Sequence, residues 1–159
     1  MGPQLHIALV RPEIHPNTGN IARLCAANSI PLHIVGVPGF RLDERSVRRA
    51  GLDYWPHVEL YRERDLRQLR EVLSGSRWLY FSVRARRCYT DMEYRHGDCL
   101  VFGPESRGLP DEVIAENPDN VLRIPMRSPH VRSLNVATAV AIGMYEALRQ
   151  LGKSSVGPG

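Results

Sequence analysis

The feature that most constrains this chain is an alternation. Five short runs of apolar, β-branched or aromatic residues are separated by segments with helical spacing. The runs are "LHIALV" at 5–10, "LHIVGV" at 32–37, "WLYFSV" at 78–83, "CLVFG" at 99–103 and "VLRIP" at 121–125. Strands of this kind alternating with helices predict an α/β fold, a mostly parallel sheet with helices on both faces.

The helical segments have readable faces. From Thr18 to about Asn28, Ile21, Leu24 and Cys25 share one side, with Asn17 or Thr18 as the expected N-cap. A second helix is expected from Asp43 to Ala50, stopped by Gly51. In "ERDLRQLREVLSG", Leu66, Leu69, Val72 and Leu73 form a stripe. The last helix, "SLNVATAVAIGMYEALRQLG", is apolar nearly all round from Val136 to Met144, and Ala137, Ala139, Ala141 and Gly143 leave room for a close neighbour. It reads equally as a buried core helix or as one whose second side a partner subunit covers.

At 159 residues the chain suits one domain, expected over 1–152, with "KSSVGPG" at 153–159 as a disordered tail. A hydrophobic fraction of 43% and a charged fraction of 24% exclude an intrinsically disordered protein. No apolar run is long enough to span a membrane and no cleavable signal pattern opens the chain, which points to the cytoplasm and no membrane partner. Cys25, Cys88 and Cys99 lack C-x-x-C spacing and the histidines are scattered, so reduced thiols and no metal are expected. The net charge of +4 suits a polyanionic partner, although Lys153 is the single lysine and a compositional preference for arginine would give the same balance.

Ligands of α/β sheets bind beyond the carboxyl ends of the strands, which directs attention to three segments. "PEIHPNTGNIARLC" at 12–25 crowds Pro12, Pro16, Asn17, Thr18, Gly19 and Asn20 into an expected turn ahead of Arg23. Asn17, Asn20 and Arg23 are three apart and can project from one side of a helix start. "FGPESRGLP" at 102–110 sets two glycines and two prolines around Glu105 and Arg107, as a rigid loop approaching a ligand would, with Pro110 suited to a helix start. It matches neither G-x-G-x-x-G nor G-x-x-x-x-G-K-[ST], which argues against a dinucleotide oxidoreductase and a phosphate loop. In "IPMRSPHVRSLNVATA" at 124–139, Ser133 can cap the last helix, while Asn135 is a mediocre helix former in its first turn.

"NTGNIARLC", "FGPESRGLP" and "IPM…RSLNVATAVAIGMYEALRQ" resemble the three motifs of the SPOUT-class RNA 2′-O-methyltransferases, which use S-adenosylmethionine. "VRRAGLDYW" at 47–55 narrows the resemblance to the tRNA (cytidine/uridine-34) 2′-O-methyltransferases, which act on the wobble nucleotide. It runs from about Leu5 to Gly152. The resemblance implies a deep trefoil knot in the C-terminal third, a homodimer through the C-terminal helix and a donor site formed by Val83, Gly103, Ile124, Met126 and Ser133. It also implies tRNA as the partner and Arg23 as the catalytic arginine.

A guanidinium keeps its proton at any ordinary pH, so Arg23 is better suited to phosphate binding and alkoxide stabilisation than to taking the 2′-hydroxyl proton. Under the same resemblance Asn20 would orient Arg23 or the donor loop, Glu105 would hold Arg23 or position the ribose, and Ser133 and Asn135 would place the acceptor nucleotide. Arg48, Arg49, Arg84, Arg86 and Arg87 are candidate phosphate contacts, with Tyr54, Trp55 or Tyr89 for stacking. "RSPHVRSLN", carrying Pro129 and His130, departs from the family pattern. The competing readings are a SPOUT enzyme acting on ribosomal RNA or another tRNA position, and a catalytically silent RNA-binding module.

Overall fold

A computed structural model describes residues 2–40 and 55–152. The expected helix at 43–50, Arg48, Arg49, Tyr54 and the tail at 153–159 lie outside the described residues. Among the described residues seven strands form one sheet: β1 (Leu5–Val10), β2 (Leu32–Val35), β3 (Leu60–Glu63), β4 (Trp78–Phe81), β5 (Arg87–Cys88), β6 (Asp98–Phe102) and β7 (Val121–Arg123). Their spatial order is β3-β2-β1-β6-β4-β7-β5 and every pairing is parallel.

Alternation along the strands divides the interior into two layers. Leu5, Ile7, Leu9, Leu79, Phe81, Leu100 and Phe102 face one side, where they meet Ile21 and Cys25 of α1 (His15–Ala27) and Val140, Met144 and Ala147 of the final helix. Ala8, Val10, Val35, Tyr80, Cys99 and Val101 face the other, against Leu69 of α2 (Leu66–Val72) and the partly buried Val113 and Ile114 of α3 (Asp111–Glu116). The final helix, α4 (Val136–Gly152), lies beside α1, and Asn28 joins the two by donating to the Tyr145 hydroxyl at 3.1 Å. Among the described residues no helix is long and apolar enough to cross a membrane.

Several local expectations change. α1 begins at His15, so the supposed turn at 15–20 is already helical and Arg23 sits in the helix interior. Its N-cap is Ile14, which has no side-chain cap, instead of Asn17 or Thr18. α4 begins at Val136, capped by Asn135: the Asn135 Oδ1 accepts from the Ala137 amide at 2.8 Å and the Thr138 amide at 3.3 Å, the cap role expected of Ser133. Val72 is 57% exposed and leaves the stripe of α2. β3 and β5 were not foreseen.

The small residues of α4 serve the sheet in at least one place. A Cβ on Gly143 would come within 2.9 Å of the Phe81 ring, so this glycine admits an aromatic side chain of the same subunit. That ring stacks on Phe102 at 4.6 Å between centroids.

Candidate active site

β4 lies between β6 and β7, with Phe81 opposite both Phe102 and Leu122. Three neighbouring strands therefore end together, and the loops that follow them enclose a cleft of about 200 Å³. Its walls are residues 81–84 at the end of β4, 102–108 at the end of β6, and Leu122, Ile124, Met126, Arg132, Ser133, Leu134 and Val136 at and after β7, with Ala139 of α4. Val83, Gly103, Ile124, Met126 and Ser133, distant in sequence, all line it. So do Glu105 and Arg84.

The central wall, loop 103–108, is held from several directions. Within the loop the Gly108 amide donates to the Pro104 carbonyl at 2.8 Å, and Gly108 adopts φ +69°, a left-handed conformation suited to glycine. A Cβ on Gly103 would lie 2.3 Å from the Gly108 carbonyl carbon and the Leu109 nitrogen. From the β4 side, Arg84 donates to the Leu109 carbonyl at 2.6 Å and pairs with Asp111.

From the opposite side the loop meets the entrance to α1. The Glu105 carboxylate accepts from the Glu13 amide at 2.7 Å, the Ile14 amide at 3.1 Å and Asn17 Nδ2 at 3.4 Å. Both amides precede the first helical residue, His15, and an acidic side chain from a remote loop accepts from them at the positive end of α1. The Asn17 Oδ1 in turn accepts from Asn135 Nδ2 at 2.9 Å. A chain of hydrogen bonds thus joins loop 103–108, α1 and the cap of α4.

These contacts give Glu105 and Asn135 defined partners. Glu105 binds the start of α1, and the Asn135 side-chain amide is shared between its own helix and Asn17. Asn20 and Arg23 lie exposed on α1, outside the lining of the cleft. Ser133 is exposed at the cleft.

The arginines expected to bind RNA divide. Arg84 is tied to Leu109 and Asp111, while Arg87 donates to the carbonyls of Asp119 at 3.2 Å and Asp91 at 3.1 Å. Both therefore brace loops. Arg86 is exposed. Trp55 and Tyr89 are partly buried against the core. Sequence reasoning assigned nothing to Arg107 and Arg132, two exposed arginines that line the cleft, or to Glu13 and Ser106.

The fold is thus an α/β protein with a parallel sheet, whose carboxyl-end loops frame an apolar-walled cleft with arginines at its edge, the usual place for a ligand in such sheets. The chain belongs to the SpoU rRNA Methylase family, whose model matches residues 4–145. It is 45% identical over 149 residues to the tRNA (cytidine(34)-2'-O)-methyltransferase of Aeromonas hydrophila subsp. hydrophila, covering 93% of this chain and 95% of that protein. A solved structure described as structural insights into the 2-OH methylation of C/U34 on tRNA matches with TM-score 0.87 and 48% identity, covering 95% of this chain and 98% of the other. The AdoMet-bound rRNA methyltransferase of Sinorhizobium meliloti matches with TM-score 0.79 and 25% identity, over 95% of this chain and 59% of that one.

Proposed function

We propose that this protein transfers a methyl group from S-adenosylmethionine to the ribose 2′-hydroxyl of the wobble nucleotide, cytidine or uridine 34, of tRNA. The observation that carries the reading is the convergence of Val83, Gly103, Ile124, Met126 and Ser133 on one cleft. The extent of similarity to proteins named for this reaction supports the substrate.

The walls suit the donor. Val83, Ile124, Leu134 and Val136 offer apolar surface for a neutral purine, and the backbone at the ends of β6 and β7 offers polar groups to its edge. Arg107 and Arg132 would face anionic groups, either the donor's carboxylate or an RNA phosphate. S-adenosylmethionine supplies an electrophilic methyl group on a sulfonium. The chain's own part is to bring the acceptor oxygen into line with it and to stabilise the charge that develops there.

Arg23 is the residue for that stabilisation. Its guanidinium would hold the phosphate beside the target ribose and favour the forming alkoxide, with Asn20 on the same helix orienting it. Ser133 would hydrogen-bond the acceptor nucleotide, whereas Glu105 and Asn135 fix the helices that frame it. Arg86, with Arg48 and Arg49, would contact RNA phosphates. The reading also includes the C-terminal trefoil knot, a cytoplasmic location and a homodimer through the C-terminal helix, where Tyr145 is 51% exposed.

A second reading, ribosomal RNA as acceptor, draws on the ribosomal RNA relative. Transfer of labelled methyl from S-adenosylmethionine to unmodified tRNA and, separately, to ribosomal RNA distinguishes them. Label in tRNA is expected. Label confined to ribosomal RNA overturns the substrate, and no label in either favours the silent RNA-binding module.

A further inference from the structure

Glu13 stands two residues before α1, in a segment that the transfer reaction leaves without a part. Its carboxylate accepts from the Ser106 amide at 2.8 Å, and the Ser106 hydroxyl lies 2.7 Å from Oε1 and 2.9 Å from Oε2. Next to it, the Glu13 amide donates to Glu105 at 2.7 Å. Two neighbouring residues of loop 103–108 and one residue of the α1 entrance therefore hold each other in both directions: Glu13 accepts from Ser106 and donates to Glu105.

Reciprocity of this kind fixes orientation as well as distance. A single bond would leave the loop free to pivot about it, whereas bonds on adjacent residues, running in opposite senses, oppose rotation of the strand of chain between Pro104 and Arg107. That strand is a wall of the cleft. The Ser106 hydrogen bonds, the backbone one first, hold the Glu13 carboxyl below its ordinary value. Ser106 lines the cleft, and its hydroxyl is turned to Glu13.

We propose that Glu13 and Ser106 are positioning residues for the donor cleft: their clasp sets loop 103–108 in its ligand-binding shape and couples it to α1, the helix of Arg23. The inference rests on the donor reading of the cleft. It makes Glu13 a determinant of donor affinity through Ser106, without contact to the donor.

The test compares wild type with Glu13→Ala, Glu13→Gln and Ser106→Ala. Two measurements are made: amide hydrogen exchange of residues 103–108 without ligand, and calorimetric titration with S-adenosylmethionine. Glu13→Ala should speed exchange across the loop and weaken donor binding roughly tenfold, with kcat recovered at saturating donor. Glu13→Gln, which keeps an oxygen for the Ser106 amide, should restore affinity to within about threefold, and Ser106→Ala should fall between the two. Since Glu13 is exposed, the melting temperature should barely move, and a merely structural role would not produce a KM effect relieved by glutamine. Unchanged loop exchange, or unchanged donor affinity, in Glu13→Ala overturns the proposal. Wild type that binds no donor overturns the reading of the cleft instead, and loop exchange then decides the clasp by itself.

Discussion

Gly103→Ala places one methyl group where the fold has no space for it. The added Cβ would meet the Gly108 carbonyl carbon and the Leu109 nitrogen at 2.3 Å and the Gly108 oxygen at 2.8 Å. All are backbone atoms, so no side chain can swing aside, and ordinary contact requires a separation of about 3.5–4 Å. The loop must move by more than about 1 Å. Overpacking of this sort costs roughly 1–3 kcal/mol. The movement also strains the Gly108 to Pro104 and Arg84 to Leu109 hydrogen bonds, each worth about 0.5–1.5 kcal/mol. The sum is roughly 2–6 kcal/mol, which for a chain of this size lowers the melting temperature by about 4–24 °C. Because the displaced loop is the cleft wall, S-adenosylmethionine binding should weaken with it. Differential scanning calorimetry and donor titration read the two effects. A variant melting within about 1 °C of wild type with undiminished donor affinity would refute the packing argument.

Three further expectations concern separate parts of the structure. Arg23→Ala, on the exposed side of α1, should retain donor binding while losing transfer by roughly 10²-fold or more in kcat; retained transfer in a single-turnover assay removes Arg23 from the mechanism. Asn135→Ala removes the α4 cap and the link to Asn17, so urea unfolding should show a loss of about 1–2 kcal/mol, and a loss below about 0.3 kcal/mol would contradict the cap assignment. The imidazole of His6 is lowered from 6.5 to about 4, first by burial and then by His33, whose Nε2 lies 3.1 Å away and whose Nδ1 is 2.8 Å from Glu63. The folded chain therefore keeps His6 neutral where the unfolded chain protonates it, so its contribution is complete above pH 6.5 and is lost as pH falls toward 4. Since His6 is only partly buried, solvent keeps the slope below the roughly 1.4 kcal/mol per pH unit of a single proton. Unfolding free energies measured at pH 7 and pH 5 should fall with acid, and His6→Asn should flatten the dependence.

What was legible in the sequence follows the reach of each interaction. β1, β2, β4, β6 and β7 carry mainly apolar or aromatic runs because both faces of a central parallel strand are covered. β3 reads Leu-Tyr-Arg-Glu because it is an edge with Tyr61 and Arg62 exposed, and β5 is two residues at the other edge. Neither leaves a pattern to read. That the loops after β4, β6 and β7 line one cleft follows from strand ends visible in the sequence, whereas the assignment of Val83, Gly103, Ile124, Met126 and Ser133 to a methyl donor came from the family resemblance. The start of α1 was not, for a physical reason: Pro16 suits a helix start as well as a turn, and the side chain that satisfies the helix entrance belongs to Glu105 in another loop. The same holds for Glu13 and Ser106, whose meeting depends on β1 lying beside β6.

The account's central claim is the position and atom that receive the methyl group. The direct measurement is mass spectrometry of tRNA digested after incubation with the protein and isotopically labelled S-adenosylmethionine, with the labelled fragment sequenced and its nucleoside identified. The account predicts a 2′-O-methylated cytidine or uridine at position 34 and no label elsewhere in the molecule. Label on a base, or on the ribose of another position, would contradict it.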